Sequence, residues 1–163
     1  MILGICGSLR AKSLNRMVLQ ALQTKLPEIH IWEGLAGIQP FNPDDEGTEG
    51  EPVHEFRRLL RASRVVIIAS PEYAHGVTGV MKNALDWVVG SGEFMKKPTV
   101  VVNCSHQATI ANAALRETLS VMEAHILPFT VPLASHGMTV EKILADEALS
   151  EKLDEITMAL KSW

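Results

Sequence analysis

The sequence has little cysteine and no motif that would give its cysteines a redox or metal-binding role. Cys6 and Cys104 are the only two, and each lies at the end of an apolar run. They form neither a Cys-x-x-Cys pair nor a Cys/His spacing typical of metal sites. We therefore predict two small buried hydrophobic residues and no metal ion.

Two further absences exclude whole classes of function. No apolar run approaches the roughly 18 residues of a membrane-spanning helix, and no charged segment precedes the apolar N-terminus, as it would in a signal peptide. The net charge of -4 gives no basic excess for a broad nucleic-acid interface. We expect a cytoplasmic protein that acts on small molecules, with neither membrane nor nucleic-acid partners.

Short apolar runs that alternate with helical patterns fill the chain instead. The patterns predict strands at 2–6, 29–32, 64–69, 99–103 and 126–131, and helices at 13–26, 52–63, 77–89, 110–123 and 145–161. The segment between the second strand and the second helix, 34–52, is rich in Gly, Pro, Asp and Glu and is predicted to be a surface loop.

This alternation predicts an α/β fold with helices on both faces of a parallel sheet. For five strands we expect a single flavodoxin-like domain over residues 1–163, doubly wound in the strand order 2-1-3-4-5. The winding then reverses between the first and third strands, and ligands bind where such strands end. The loops after Cys6 and Ala69 should therefore form one site.

The first loop, GSLRAKSLN at residues 7–15, has residue types suited to a phosphate group. It enters a helix N-terminus, whose free N–H groups and positive dipole attract anions. Gly7 permits close backbone approach, and the hydroxyl of Ser8 and the forked cation of Arg10 can hold phosphate oxygens. The loop matches neither the Walker A motif nor GxGxxG.

Other residues of this loop have two interpretations. Ser13 offers a second hydroxyl, and Asn15 can reach the pocket from the first helical turn. Alternatively, Ser13 is only a helix cap, and Arg10 and Lys12 are solvated loop charges.

The second loop begins with Ser70-Pro-Glu-Tyr and continues through Gly76 and Gly79 into a helix. Pro71 fixes its backbone, and Tyr73 offers an apolar plate with a polar tip. Glu72 is either a ligand contact or a solvated acid.

Both segments resemble signatures of the NADPH-dependent FMN reductase family. Residues 7–15 are similar to its GSxRxxSxN phosphate loop, and residues 71–87 to its Pro-Glu-Tyr, Gly-rich turn and Lys-Asn-Ala-x-Asp-Trp. The resemblance implies bound FMN and NAD(P)H as the electron donor. It implies a small electron acceptor, which could be a quinone, a flavin, an azo compound or a metal oxyanion, and no catalytic side chain, because the flavin carries the chemistry.

The resemblance also implies roles for individual residues. The FMN phosphate is assigned to the side chains of Ser8, Arg10, Ser13 and Asn15 and to the backbone of Leu14. The flavin ring is assigned to Pro71, Glu72, Tyr73, Ala74, His75 and Gly76. A homodimer or homotetramer is implied, with Lys82, Asp86 and Trp87 near a subunit contact. From spacing alone, Lys82 and Asp86 are equally well a helix-surface pair, and Trp87 is better explained by core or interface packing than by stacking on the flavin.

Three departures separate the chain from the family pattern. Ala74 stands where the family usually has Asn, and Thr78 where it often has Pro, which should loosen that turn. The loop at 103–109 has no glycine, where the family usually has a Gly-rich turn. We expect Ser105 and His106 to replace its backbone contacts to the flavin. His106 is either a proton donor or a solvent-facing loop histidine.

Other function classes are less consistent with the residues. A protein that binds FMN or another phosphorylated ligand without turnover is the main alternative, motivated by the altered loop at 103–109. A serine hydrolase would need G-x-S-x-G, which is absent. A phosphoacceptor receiver domain would need Asp where Ser70 stands.

Overall fold

A five-stranded parallel sheet runs through the protein. The computed structural model describes residues 1–104, 108–129 and 137–163. The strands in chain order are β1 (Ile2–Cys6), β2 (Ile29–Trp32), β3 (Val65–Ala69), β4 (Glu72–Tyr73), β5 (Gly76–Val77), β6 (Pro98–Val102) and β7 (His125–Ile126). The sheet order is β2-β1-β3-β6-β7, and β4 and β5 pair separately as an antiparallel hairpin. The predicted order 2-1-3-4-5 is confirmed.

Helices cover both faces of the sheet. They are α1 (Leu14–Lys25), α2 (Glu51–Ala62), α3 (Gly79–Val89), α4 (Thr109–Val121), α5 (Val140–Ala145) and α6 (Glu147–Leu160). One apolar core joins the sheet to α1, α5 and α6, and the other joins it to α2, α3 and α4. Residues of β3 alternate between the two, with Ile67 in the first core and Ile68 in the second. A fully apolar strand is therefore required at the centre of the sheet.

The fifth strand of the sheet is shorter than predicted. β7 covers two residues instead of 126–131, and the last two predicted positions lie outside the described residues. The amides of His125 and Leu127 donate to the carbonyl oxygens of Lys97 and Thr99, but the next amide of this alternating series, that of Phe129, donates back to Leu127 at 2.9 Å. Arg116 instead donates from Nη2 to the Val101 carbonyl oxygen at 3.2 Å. A helix side chain thus takes the acceptor that the Phe129 amide would use if the ladder continued.

Three other segments differ from their predictions. The last predicted helix, 145–161, corresponds to α6, but α5 before it was not predicted; Asp146 ends α5 with an extended backbone, and its carboxylate caps α6 through the Leu149 amide at 3.0 Å. Val77 belongs to β5, so α3 begins at Gly79. The predicted surface loop at 34–52 contains two short 3₁₀ helices, Gly34–Gly37 and Pro43–Asp45, and its Leu35 is buried in the second core.

Candidate active site

The loops after β1 and β3 meet at the carboxyl ends of these strands, as predicted. The Gly7 amide donates to the Ala69 carbonyl oxygen at 2.8 Å. A Cβ atom on Gly7 would lie 2.3 Å from Ser70 Oγ and 3.1 Å from Ser70 Cα. Only glycine therefore allows this close approach of the two loops.

A cleft of about 490 Å³ opens between the two loops. The first loop lines it with Gly7, Leu9 and Arg10, and the second with Tyr73, Thr78, Gly79 and Val80. Leu9 and Tyr73 are about half exposed, at 54% and 52%. The walls are therefore mainly apolar, and Arg10 is their one charged side chain among the residues that the structure describes.

Thr78 connects the two walls of the cleft. Its side chain is buried, and Oγ1 donates to the Gly7 carbonyl oxygen at 2.7 Å. It occupies the N-cap position of α3 but makes no side-chain cap bond, since its hydroxyl is engaged with Gly7. Thr78 thus ties the turn to the first loop, and the looser turn expected from replacing proline stays a prediction.

The serines of the first loop are buried and hydrogen-bonded locally. Ser8 Oγ accepts from the Arg10 amide at 3.3 Å and lies 3.5 Å from the Tyr73 hydroxyl. Ser13 precedes α1, yet its hydroxyl does not cap the helix and lies 4.0 Å from Cys6 Sγ. The interpretation of Ser13 as a side-chain cap is wrong, and the N-terminus of α1 has no such cap.

The start of α1 has the unsatisfied groups that a phosphorylated ligand would use. Its first turn holds no acidic residue, and Arg10 is exposed without an ion pair in the described ranges. Asn15 is buried in that turn, and its Oδ1 has no partner among the residues described. An N-terminus without a cap attracts a phosphate, and a buried amide oxygen can accept from a ligand hydroxyl. FMN, which carries a phosphate on a hydroxylated chain, fits these groups.

The hairpin β4–β5, which follows Pro71 in the chain, forms the opposite wall of the cleft. Its two turn residues, Ala74 and His75, have φ of 49° and 59°. Two-residue hairpin turns with positive φ at both positions favour Asn and Gly. The turn thus explains why Ala74 is an unusual choice at a position where the related family has Asn. Gly76 begins the return strand.

Glu72 points away from the cleft opening toward α4. Its Oε2 accepts from the Ala111 amide at 2.8 Å, and its Oε1 lies 3.0 Å from His75 Nδ1. The hydrogen bond from Ala111, together with His75, lowers the pKa of Glu72. The alternative of a solvated acid is therefore wrong for Glu72, whereas the side chain of His75 is 79% exposed.

Residues of the Lys-Asn-Ala-x-Asp-Trp segment hold the chain that follows β2. Asn83 Oδ1 accepts from the Phe41 amide at 2.7 Å, and its Nδ2 donates to the Gln39 carbonyl oxygen at 2.9 Å. Trp87 is buried and donates to the same Gln39 oxygen at 2.8 Å. Trp87 is thus a core residue, as its spacing indicates.

The charged pair of that segment is on the surface of α3. Lys82 Nζ lies 2.5 Å from Asp86 Oδ1, one helical turn away, and both side chains are partly exposed. This is the helix-surface pair that the spacing predicts. The subunit contact stays a prediction.

The remaining residues singled out in the sequence add nothing to the geometry of the site described so far. Ser105 and His106 lie outside the described residues. Cys6 and Cys104 are buried in the first core, and burial raises the pKa of Cys104 to about 12. In the ranges the structure covers, no group of three His, Cys, Asp or Glu side chains could hold a metal ion, and no helix could span a membrane.

Four cleft residues had no predicted site role. They are Leu9, Thr78, Gly79 and Val80. Leu9 could have been predicted to line the cleft, because an apolar side chain in a polar strand-to-helix loop has no core to pack into. The other three begin α3, where apolar periodicity conceals a role in the cleft.

Similarities to known proteins cover most of the chain. The model of the NADPH-dependent FMN reductase family matches residues 1–138. An NAD(P)H-dependent FMN reductase of Pseudomonas aeruginosa is 31% identical over 173 residues, covering 99% of this chain and 94% of the relative. A quinone reductase of Escherichia coli is 29% identical over 168 residues, covering 96% and 87%.

A solved structure agrees with the sequence relatives. The flavoenzyme NAD(P)H:(acceptor) oxidoreductase FerB of Paracoccus denitrificans superposes with a TM-score of 0.85 at 25% identity, over 99% of this chain and 95% of FerB. Fold, matched segment and relatives therefore agree. The chain belongs to the NADPH-dependent FMN reductase family, whose members are oxidoreductases that use FMN and NAD(P)H.

Proposed function

We propose that this protein holds FMN in the cleft at the ends of β1 and β3 and reduces a small, flat, apolar acceptor there, with NAD(P)H as donor. A quinone fits this description. The observation that carries the proposal is the cleft itself. It lies where the winding of the sheet reverses, and a loop with a helix N-terminus faces a rigid hairpin across it.

The first loop is the proposed phosphate end of the site. Arg10 is exposed at the cleft and can meet phosphate oxygens with its forked donors. The hydroxyls of Ser8 and Ser13, the backbone of Leu14 and the amide of Asn15 would complete the set. The side chains of this loop bind and orient, and none has to transfer a proton.

The hairpin is the proposed flavin-ring side, formed by the residues from Pro71 to Gly76. Tyr73 is the one hairpin side chain that lines the cleft. When bound, FMN would supply the hydride chemistry. The protein's contribution is then to position the ring and to exclude water.

The cleft lining favours an apolar acceptor over a metal oxyanion. Leu9, Tyr73 and Val80 present apolar surface, and Arg10, the only cation that lines the cleft within the described part of the chain, would be neutralised by the phosphate. The name of the E. coli relative, a quinone reductase, supports the same choice. A single-domain, cytoplasmic homodimer or homotetramer stays our expectation, and sedimentation of the purified protein tests its assembly.

Replacing Arg10 tests the phosphate assignment. We expect Arg10→Ala to raise the FMN dissociation constant about 10- to 100-fold, because a hydrogen bond to a charged group contributes about 1.5–3 kcal/mol. Binding is measured by quenching of FMN fluorescence. Lys12→Ala, which removes an exposed cation of the same loop that does not line the cleft, is the control and should change binding less than about threefold.

Riboflavin separates phosphate binding from ring binding, because it lacks the phosphate. Arg10→Ala should leave riboflavin affinity unchanged if the residue acts on the phosphate. An equal loss of both ligands would contradict the assignment. Failure of the wild-type protein to bind micromolar FMN, or to oxidise NAD(P)H with a quinone faster than free FMN does, would contradict the proposed function.

A further inference from the structure

Helix α4 begins beside the hairpin without a cap of its own. Ala108 occupies its N-cap position, no side chain of the described residues next to it in the chain caps it, and its first turn contains no acidic residue. The first N–H groups of a helix need partners from elsewhere when they are not solvated. Ala111 is buried in this turn, so its amide has to find one within the protein.

Glu72 supplies that partner from another element. Its Oε2 accepts from the Ala111 amide at 2.8 Å, and a carboxylate at this end also meets the positive helix dipole. Its Oε1 is engaged by His75 across the hairpin turn at 3.0 Å. Both carboxylate oxygens of Glu72 therefore have partners within the protein. One is bonded to α4, and the other to His75 in the turn of the hairpin.

The neighbour of Glu72 in the hairpin is the cleft residue Tyr73. Side chains of successive strand residues point to opposite faces. Glu72 accordingly reaches α4, while the Tyr73 hydroxyl lies 3.5 Å from Ser8 Oγ across the cleft. Both strands of the hairpin also pack against α4. Fixing the carboxylate on α4 thus fixes the tyrosine over the cleft.

The hairpin needs such an anchor. It has only two residues in each strand, and both of its turn residues have positive φ although neither is glycine. This conformation is disfavoured for a non-glycine residue, because it brings Cβ too close to the following carbonyl oxygen. Without an external contact, a hairpin this short would not hold one geometry.

We infer that Glu72 is a positioning residue, which sets the placement of Tyr73 in the cleft by joining the hairpin to the first turn of α4. The inference rests on the proposed function for its consequence in catalysis, but the coupling itself is a property of the free protein. The side chain of Glu72 then does not contact the ligand directly, and its carboxylate transfers no proton.

Tyr73 provides a readout that needs no ligand, because it is the only tyrosine of the chain. Fluorotyrosine incorporated into the full-length protein gives one fluorine NMR resonance. We expect Glu72→Ala to shift and broaden this resonance in the FMN-free protein. Glu72→Gln should stay close to wild type, since its amide oxygen can still accept from Ala111.

Binding and turnover then measure the consequence. We expect Glu72→Ala to raise the FMN dissociation constant and the KM for a quinone about tenfold, and to lower kcat less. Glu93→Gln is the control, because Glu93 is a buried carboxylate paired with Arg61 at 2.7 Å and precedes the amino end of β6, whereas the cleft lies at the carboxyl ends of the strands. It should lower Tm without moving the fluorine resonance or FMN affinity.

A second variant separates positioning from simple helix capping. Thr109→Asp places a carboxylate at an exposed position in the first turn of α4, where it compensates the dipole but does not restore the bond between Glu72 and the Ala111 amide. Combined with Glu72→Ala, it should recover part of the lost Tm but neither the resonance nor FMN affinity.

Two results would overturn the inference. One is an unchanged fluorine resonance in Glu72→Ala, and the other is full recovery of FMN affinity in the double variant. Failure of the proposed function would be a different result, namely a wild-type protein that binds no FMN while its fluorine resonance still responds to Glu72→Ala.

Discussion

Single residues at the cleft satisfy conditions that their own side chains do not reveal. Ala74 has an ordinary side chain in a left-handed conformation, with φ of 49°. Thr78 has its hydroxyl bonded to a carbonyl oxygen 71 positions earlier in the chain. In both cases the backbone of the site, more than the chemistry of the side chain, determines which residue is tolerated.

At Ala74, glycine should stabilise the protein. Ala74→Gly removes the Cβ that disfavours positive φ, and we expect the free energy of unfolding to rise by about 1 kcal/mol in a denaturant titration. Ala74→Asn should give a smaller gain. Ala113→Gly, an exposed position within α4, is the opposite case and should cost about 1 kcal/mol. A loss of stability in Ala74→Gly would show that the turn does not have this conformation.

At Thr78, removing the hydroxyl should be costly. Thr78→Val keeps the shape but leaves the buried Gly7 carbonyl without this donor, so the free energy of unfolding should fall by about 1–3 kcal/mol. Thr118→Val is the control, because its hydroxyl only bonds back to Ala114 within α4. That change should stay within about 0.5 kcal/mol. Equal effects of the two substitutions would argue against the link between the loops.

At the scale of elements, α3 serves the site by holding a distant loop. One face of the helix begins at the cleft, while Asn83 and Trp87 on another fix residues 39–41 through three hydrogen bonds to two backbone groups. The segment following β2 is thereby attached to the second core. The same helix thus supports the active-site wall and the long connection to α2.

Asn83 should contribute far more stability than its neighbour Lys82. Asn83→Ala leaves the Phe41 amide and the Gln39 carbonyl each short of one bond, and we expect a loss of about 2–3 kcal/mol. Hydrogen exchange at the Phe41 amide should accelerate. Lys82→Ala removes only an exposed pair within the helix and should cost less than about 0.5 kcal/mol. If the two losses were similar, the anchoring role of Asn83 would be refuted.

At the scale of the whole molecule, two carboxylates make stability depend on acid pH. A hydrogen bond from the Ala111 amide lowers the pKa of Glu72. Hydrogen bonds from its own amide and from that of Gly47, together with the nearby charge of Arg57, lower the pKa of Glu49. The unperturbed pKa of a glutamate side chain is 4.5. Because their folded pKa values lie below this value, their stabilising contribution is fully present above pH 4.5 and is lost as the pH falls through the folded values.

Melting curves across this range test the assignment. We expect the Tm of the wild-type protein to fall as the pH is lowered below 4.5 and through the folded pKa values of the two carboxylates. Glu49→Gln should be less stable than wild type at pH 7, and this difference should shrink on acidification. A constant difference between the two proteins down to pH 3 would mean that the Glu49 carboxylate is not stabilised in the fold.

The sheet and the location of its site were determined by the sequence itself. Apolar runs such as 65–69 have no polar position, so they can only lie in a sheet covered on both faces, and the order of the strands places the ends of β1 and β3 side by side. The phosphate-loop and Pro-Glu-Tyr signatures then indicated the family. Local chemistry was sufficient for these conclusions, because strand periodicity and loop composition act over a few residues.

Only the tertiary structure decided which partner each polar group finds. The bond from Thr78 to Gly7, the one from the Ala111 amide to Glu72, and Arg116 in place of a continued fifth strand all join elements that are separate in the chain. No pattern within a window encodes such bonds, because a donor or acceptor is satisfied equally well by any group that packing brings within reach. That is the physical reason why Glu72 read as a ligand contact or a solvated acid in the sequence and is an anchor in the fold.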